Sequence, residues 1–130
     1  MTDSPSFSAN TGLDAVLGFD YVEASGDRVV IRWPITPDQH QPFGIVHGGV
    51  YCSAVESAAS IGAALWFGDR GRVVGVSNHT DFLRAVSAGT MTAVATPIHR
   101  GRSQQLWLVE VTDDQDRLTA RGQVRLQNLQ

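Results

Sequence analysis

From Leu118 to Gln127 the chain alternates, with Leu118, Ala120, Gly122, Val124 and Leu126 on one side of an extended backbone. Thr119, Arg121, Gln123, Arg125 and Gln127 fall on the other. Period two marks a strand with one face in a core and one in solvent. Three further strand-like runs precede it: "RVVGVSNHTDFL" (72–83), "GTMTAVATPIH" (89–99) and "SQQLWLVEVT" (103–112). The connections "SAG" and "DDQDR" are short enough to join antiparallel neighbours. Nearer the N-terminus, "FDYVEAS", a Gly26-Asp27 turn and "RVVIRWPI" read as a hairpin with Val29, Ile31 and Trp33 on one face.

A different period sets in after the polar loop "TPDQHQPFG". A helix is expected from near Gly48 to just before "GDRG", whose glycines suit a helix end followed by a turn. Val50, Cys52, Ala54, Val55, Ala58, Ala59, Ile61, Ala63, Ala64 and Leu65 go most of the way round it, which predicts burial on all sides. A short helix over Asn10 to Leu17, capped by Asn10 or Thr11, and a loose tail over 1–9 complete the chain. The fold class is α+β: one domain over 1–130, a curved antiparallel sheet of about six strands wrapped round one long central helix.

Composition narrows the partners. The 130 residues suit a single core, and a net charge of −3 gives no field for nucleic acid or acidic membranes. The stretch Val50–Phe67 approaches membrane-spanning length, but it is built largely of Ala, Ser and Gly and carries Glu56, so no membrane span is expected. The single Cys52 cannot form an internal disulfide, and the first residues lack a basic start with an apolar block. A cytoplasmic setting is therefore expected.

Glu56 is the one carboxylate in the long helix. Burying it as an ion is costly without compensation, so it either pairs with a cation at a subunit contact or does chemistry, attacking an electrophile or activating water. Ser60 lies one turn further on the same face. Gly48 and Gly49 leave backbone N–H groups free at the helix start, where they either ease a tight turn or let a ligand oxygen approach. His47 stands just before the helix, suited to capping or packing the loop, and Gln41 lies in the loop itself. The four histidines and Cys52 show no metal-binding spacing, and Cys52 reads as core. No Walker, GxSxG or dinucleotide motif is present. In "HRGRSQQ", Arg100 and Arg102 flank Gly101 and form either a solvated hairpin or a phosphate clamp.

These residues together resemble the hotdog-fold acyl-CoA thioesterases, in the branch of the phenylacetate-pathway and 4-hydroxybenzoyl-CoA enzymes. The element order matches from about residue 12 to the C-terminus, and "QPFGIVHGG" followed by "ESAAS" carries the likeness. The resemblance implies hydrolysis of an acyl-CoA without metal or redox cofactor. The Gly48 N–H would polarise the thioester carbonyl, Gln41 and His47 would position the acyl end, and Glu56 would act as nucleophile or general base. Ser60 would stand near the attacking water. The loop Arg100, Gly101, Arg102 and Ser103 would contact CoA, with Asn78 and Phe82 beside the acyl group. Some relatives carry a histidine on the third strand where this chain has Phe82 or Leu83. A homodimer or homotetramer is expected, and the alternative function is a hotdog module that binds acyl-CoA without turning it over. Eight helical residues rise about 12 Å, so Gly48 and Glu56 of one chain would serve different active sites.

Overall fold

A computed structural model describes residues 11–130. The tail expected over 1–9 and the cap candidate Asn10 lie outside them. Short helix α1 (Gly12–Leu17) leads into a hairpin of β1 (Asp20–Ala24) and β2 (Val29–Pro34). A 3₁₀ turn, Pro37–Gln39, and a loop precede the long helix α2 (Gly48–Phe67). Strands β3 (Arg72–Phe82), β4 (Thr90–Arg100), β5 (Gln104–Thr112) and β6 (Leu118–Leu129) follow. All six strands form one antiparallel sheet in the order β1-β2-β4-β5-β6-β3, packed on α2.

The strand order differs from the sequence expectation in one place. "SAG" does not close a hairpin, because β4 pairs with β2 on one side and β5 on the other, leaving β3 to join β6 at the far edge. The segment 83–89 therefore crosses one end of the sheet. Its backbone is satisfied on the way: Leu83 and Arg84 N–H donate to Thr119 O, Val46 N–H to Val86 O, and Ile35 N–H to Gly89 O. Thr119 is buried rather than solvent-facing because the β5–β6 register slips beside it, between Val111 and Thr112, and its hydroxyl donates to Val111 O at 3.0 Å. Leu118 is the exposed member of the pair.

Nor is α2 buried all round. Val50, Tyr51, Ala54, Val55, Ala58, Ala59, Gly62, Ala63 and Phe67 form one buried stripe. Cys52, Ser53, Glu56, Ser57 and Ser60 are half-buried on the other side, and Ala64 is exposed. Ala, Ser and Gly lie so close in size and polarity that the sequence hides this division. The helix is held at both ends. His47 caps its start, and at its end Gly68 N–H donates to Ala64 O. Arg70 donates to Trp66 O and Phe67 O, each at 2.8 Å, placing a cation at the negative end of the dipole.

Large side chains from the sheet fill the space the small helix stripe leaves. Ile31, Trp33, Met91 and Trp107 are fully buried. Trp33 donates its indole N–H to Gln39 at 3.2 Å, and Trp107 donates to Gln105 at 2.8 Å. Gln105 in turn donates to Ala63 O of α2 and to the Asn128 side chain. The Trp107 ring lies directly under Gly62, 2.6 Å from where a Cβ would stand.

Gly62→Ala should therefore destabilise the protein by about 1–3 kcal/mol, overpacking outweighing the better helix propensity of Ala. Urea unfolding measures this. An unchanged or higher midpoint would mean that Trp107 yields to the methyl.

Candidate active site

Two depressions flank the first half of α2. The first opens at the helix start. Here the loop turns back on itself, with Gln41 N–H donating to Ile45 O at 2.8 Å and Gly44 N–H to Gln41 O at 3.0 Å. Gly44 takes a left-handed backbone (φ 84°) to close the turn. The Gln41 side-chain oxygen accepts from Phe43 N–H, which leaves its NH₂ group as donor. His47 does what Ser or Asp usually does at this position: its Nδ1 accepts from Gly49 N–H at 2.7 Å, and its carbonyl accepts from Val50 N–H at 3.0 Å. Among the described residues the N–H of Gly48 has no acceptor. Gly48, Gln41, Ile45, Tyr51, Phe82 and Val86 are among the residues lining a cavity of about 370 Å³. The Phe82 ring covers Gly48, its nearest carbon 2.8 Å from the position of an added Cβ.

The second depression, of about 350 Å³, holds Glu56 together with Asp14, Cys52, Ser57 and Asn78. Glu56 is thus not enclosed by apolar side chains, as its neighbours in sequence imply, but half-buried on the open face of the helix. Its Oε1 accepts from Asn78 Nδ2 at 3.1 Å and its Oε2 from the Ser60 hydroxyl at 3.3 Å. The far wall is α1, fastened by Asp14. One Asp14 oxygen accepts from the Ser57 hydroxyl and the other from the Tyr21 phenol, each at 2.7 Å. Burial first, then the hydrogen bond and charge of Asp14, push the Tyr21 phenol far above its usual range, so it stays a donor.

The structure therefore brings Gln41, Gly48 and Phe82 together in one cavity, and Glu56, Ser60 and Asn78 together at the other. His47 serves the first as a cap. Asn78 lies beside the acid and not beside Phe82, apart from the acyl-pocket pairing the resemblance implied. Arg100 is no half of a free clamp: its guanidinium donates to Gly26 O at 2.6 Å and to Asp27 at 2.8 Å, and it lies 5.5 Å over the Trp66 ring. Arg102 and Ser103 are exposed. The turn they form is pinned from below by Asn128, whose side-chain amide donates to Gly101 O and Arg102 O and whose backbone N–H donates to Ser103 O. Sequence reasoning missed Asp14, Tyr21, Ser57 and Asn128. Gln105 had a signal, since it alternates in phase with Trp107, Val109 and Val111 and so had to face the core.

Residues 43–120, from the loop before α2 to the third residue of β6, match the family described as the thioesterase superfamily. The chain belongs to the thioesterase superfamily. Rv1847 of Mycobacterium tuberculosis, a candidate esterase, is 48% identical over 132 aligned positions, covering 98% of this chain and 94% of that one. Its solved structure superposes with a TM-score of 0.88, over 90% of this chain and 95% of that one at 51% identity. The structure of S. sahachiroi AziG gives a TM-score of 0.90 at 49% identity, covering 92% and 98% of the two chains. A 1,4-dihydroxy-2-naphthoyl-CoA hydrolase of Listeria monocytogenes is 37% identical over 107 residues, 82% of this chain and 87% of its own. The sheet and helix of this superfamily member are the hotdog fold.

The cap can be tested on its own. In this thioesterase-superfamily chain His47→Ala should cost about 1 kcal/mol of stability, and His47→Asn should recover most of it. Equal urea midpoints for His47→Ala and the parent would remove the capping role.

Proposed function

We propose that the protein hydrolyses acyl-CoA thioesters to the free acid and CoA, at sites each built from two copies of the chain. One observation carries this reading. The unpartnered Gly48 N–H at the helix start and the hydrogen-bonded Glu56 about two turns on border separate cavities. Their separation along the axis is about 12 Å, whereas attack on a carbonyl needs the reacting groups about 3–3.5 Å apart. A second α2 lying alongside, running the other way, sets the Glu56 of one copy opposite the Gly48 of the other. The free edge of β3, eleven residues long with Val74 and Val76 exposed, offers the seam along which two sheets could join. A homodimer is the smallest assembly this requires, and a tetramer is compatible with it.

At such a site the thioester carbonyl oxygen accepts from Gly48 N–H, with the positive end of the helix dipole behind it. Glu56 of the partner subunit either attacks the carbonyl carbon itself or takes a proton from the attacking water. In the first route the C–S bond breaks as a mixed anhydride forms on Glu56, and a water then cleaves the anhydride to release the acid and restore the carboxylate. In the second the water oxygen bonds to the acyl carbon as the C–S bond breaks. In both, CoA leaves as the thiol after gaining a proton. Ser60, donating to Glu56, holds the second carboxylate oxygen. Gln41 presents its NH₂ group to the acyl end, and the apolar Ile45, Phe82 and Val86 suit an apolar acyl group. The hydrolase name of the Listeria relative supports a CoA thioester as the substrate class. The likeness to the phenylacetate-pathway and 4-hydroxybenzoyl-CoA branch supports an aromatic acyl group. Arg102 is the cation left for CoA phosphates once Arg100 is committed to Asp27 and Trp66. A cytoplasmic homo-oligomer acting on a small molecule, without nucleic acid or membrane, fits this reading.

Mixing two inactive variants tests the shared site. Gly48→Pro removes the N–H at a helix position that accepts proline, the half-exposed Phe82 moving aside, and Glu56→Gln keeps the shape of the acid. Each alone should lower kcat by about a hundredfold or more. Co-refolded in equal amounts, about half the dimers are mixed, each with one intact site of two, so activity should return to roughly a quarter of the parent. Mixed dimers that form but stay inactive would overturn the two-chain site. A parent protein that binds acyl-CoA without releasing thiol would make the domain a binding module.

The hairpin gives an independent check. Arg102→Ala should raise KM for acyl-CoA and leave a short thioester lacking the nucleotide unaffected. Arg100→Ala should instead lower the unfolding temperature, because it removes the link between the β1–β2 turn and the β4–β5 hairpin. Equal KM effects on both substrates would exclude Arg102 from nucleotide binding.

A further inference from the structure

The hydrogen bonds to Glu56 continue beyond the acid. Asn78 stands on β3, and its amide is held at both ends. Its Oδ1 accepts from the Thr80 hydroxyl at 2.7 Å, and its Nδ2 donates to Glu56 Oε1 and to Cys52 O, each at 3.1 Å. Two acceptors, Glu56 Oε1 and Cys52 O, fix which end of the amide meets the acid, since the flipped amide would set oxygen against oxygen, and the Thr80 hydroxyl braces the other end by donating to Oδ1. On the other side, Ser60 holds Oε2. That oxygen also rests against Gly75 of β3, where an added Cβ would collide with it. The carboxylate is thereby fixed in both position and rotation.

From this geometry we infer that Asn78, braced by Thr80, is a positioning residue for the catalytic acid: it holds the Glu56 carboxylate in place and aimed out of the helix face. The inference rests on the proposed role of Glu56 and adds a residue to it. A purely structural Asn78 would hold β3 on α2 through Cys52 O alone, and the acid would be indifferent to it. The bond to Oε1 distinguishes the two, because together with Ser60 on Oε2 it fixes the rotation of the carboxylate. Two other titratable groups border the same cavity. Asp14 of α1 has both oxygens engaged by Ser57 and Tyr21, and Cys52 lies one turn earlier on α2. His79 and Asp81 of β3 pair with each other and line a separate depression with Arg121.

The test compares pH profiles of thiol release from a CoA thioester for the full-length parent and three variants, with Glu56→Gln as reference. Asn78→Asp is nearly isosteric and sets a second carboxylate against the first. Like charge disfavours the ionised form, so the acid limb of kcat/KM should move up by about one pH unit or more. Asn78→Ala should lower kcat about tenfold or more with KM little changed. Thr80→Val, which keeps the shape but removes the bond to Oδ1, should lower kcat by a smaller factor. Unfolding midpoints for each variant show that the domain is folded at the assay temperature. An unmoved acid limb in Asn78→Asp, or kcat within twofold of the parent in Asn78→Ala, overturns the inference if Glu56→Gln is inactive. If Glu56→Gln retains its activity, the role of the acid itself fails, and the positioning role with it.

Discussion

Where α2 meets the sheet its middle is lined by small residues, Ala54, Ala58, Ala59, Gly62 and Ala63, with only Val55 larger among the buried positions between Tyr51 and Phe67, so the helix can lie close to the strands. The sheet must then supply the volume, and it does so with Trp33, Trp107, Met91 and Ile31. Packing of this kind is intolerant in both directions, since neither a void under the helix nor an extra methyl at Gly62 is easily absorbed. The rings that fill the space carry N–H groups that must also be satisfied, which is why Gln39 and Gln105 are buried with them. A helix held this firmly gives fixed positions to its first N–H and to a side chain two turns later.

The opposite face of the same helix stays half-open and is the one on which the proposed chemistry rests. It carries serines, one cysteine and one acid, each small or short, with α1 covering only part of it through Asp14 and Ser57. Separate placement of donor and acid on a rigid rod makes neither useful alone. An oxyanion donor without a base polarises a carbonyl that nothing attacks, and a base without a donor faces an unactivated one. In the proposed homodimer, pairing two rods would meet both deficits at once by symmetry, with two equivalent sites from one contact.

How much of this was legible in the chain depended on how far each residue's environment is local. The alternation in β2 placed Val29, Ile31 and Trp33 correctly on one buried face, and the glycines at 48 and 68 bracket the helix. Pairing partners were harder, because nothing local to β3 says that its neighbour is β6 and not β4. Thr119 went to the wrong face because the β5–β6 register slips beside it, an irregularity that alternation alone does not reveal. At the site, the spacing of Gly48 and Glu56 was readable, as was the separation it imposes. The partners of the acid on β3, the tie from Asp14 to Tyr21 and the capture of Arg100 by Asp27 were not, since each joins residues distant in sequence through one side-chain contact.

Asn128 turns three successive carbonyls, those of Gly101, Arg102 and Ser103, toward the protein interior. The peptides are trans, so the N–H following each inward carbonyl points the opposite way. Arg102 and Ser103 accordingly direct their amide protons outward at the tip of the β4–β5 hairpin. The partial positive charge there belongs to the main chain. It would persist through substitution of the surface side chains, provided the asparagine beneath them stays, so this tip could drift in sequence while keeping its attraction for oxyanions.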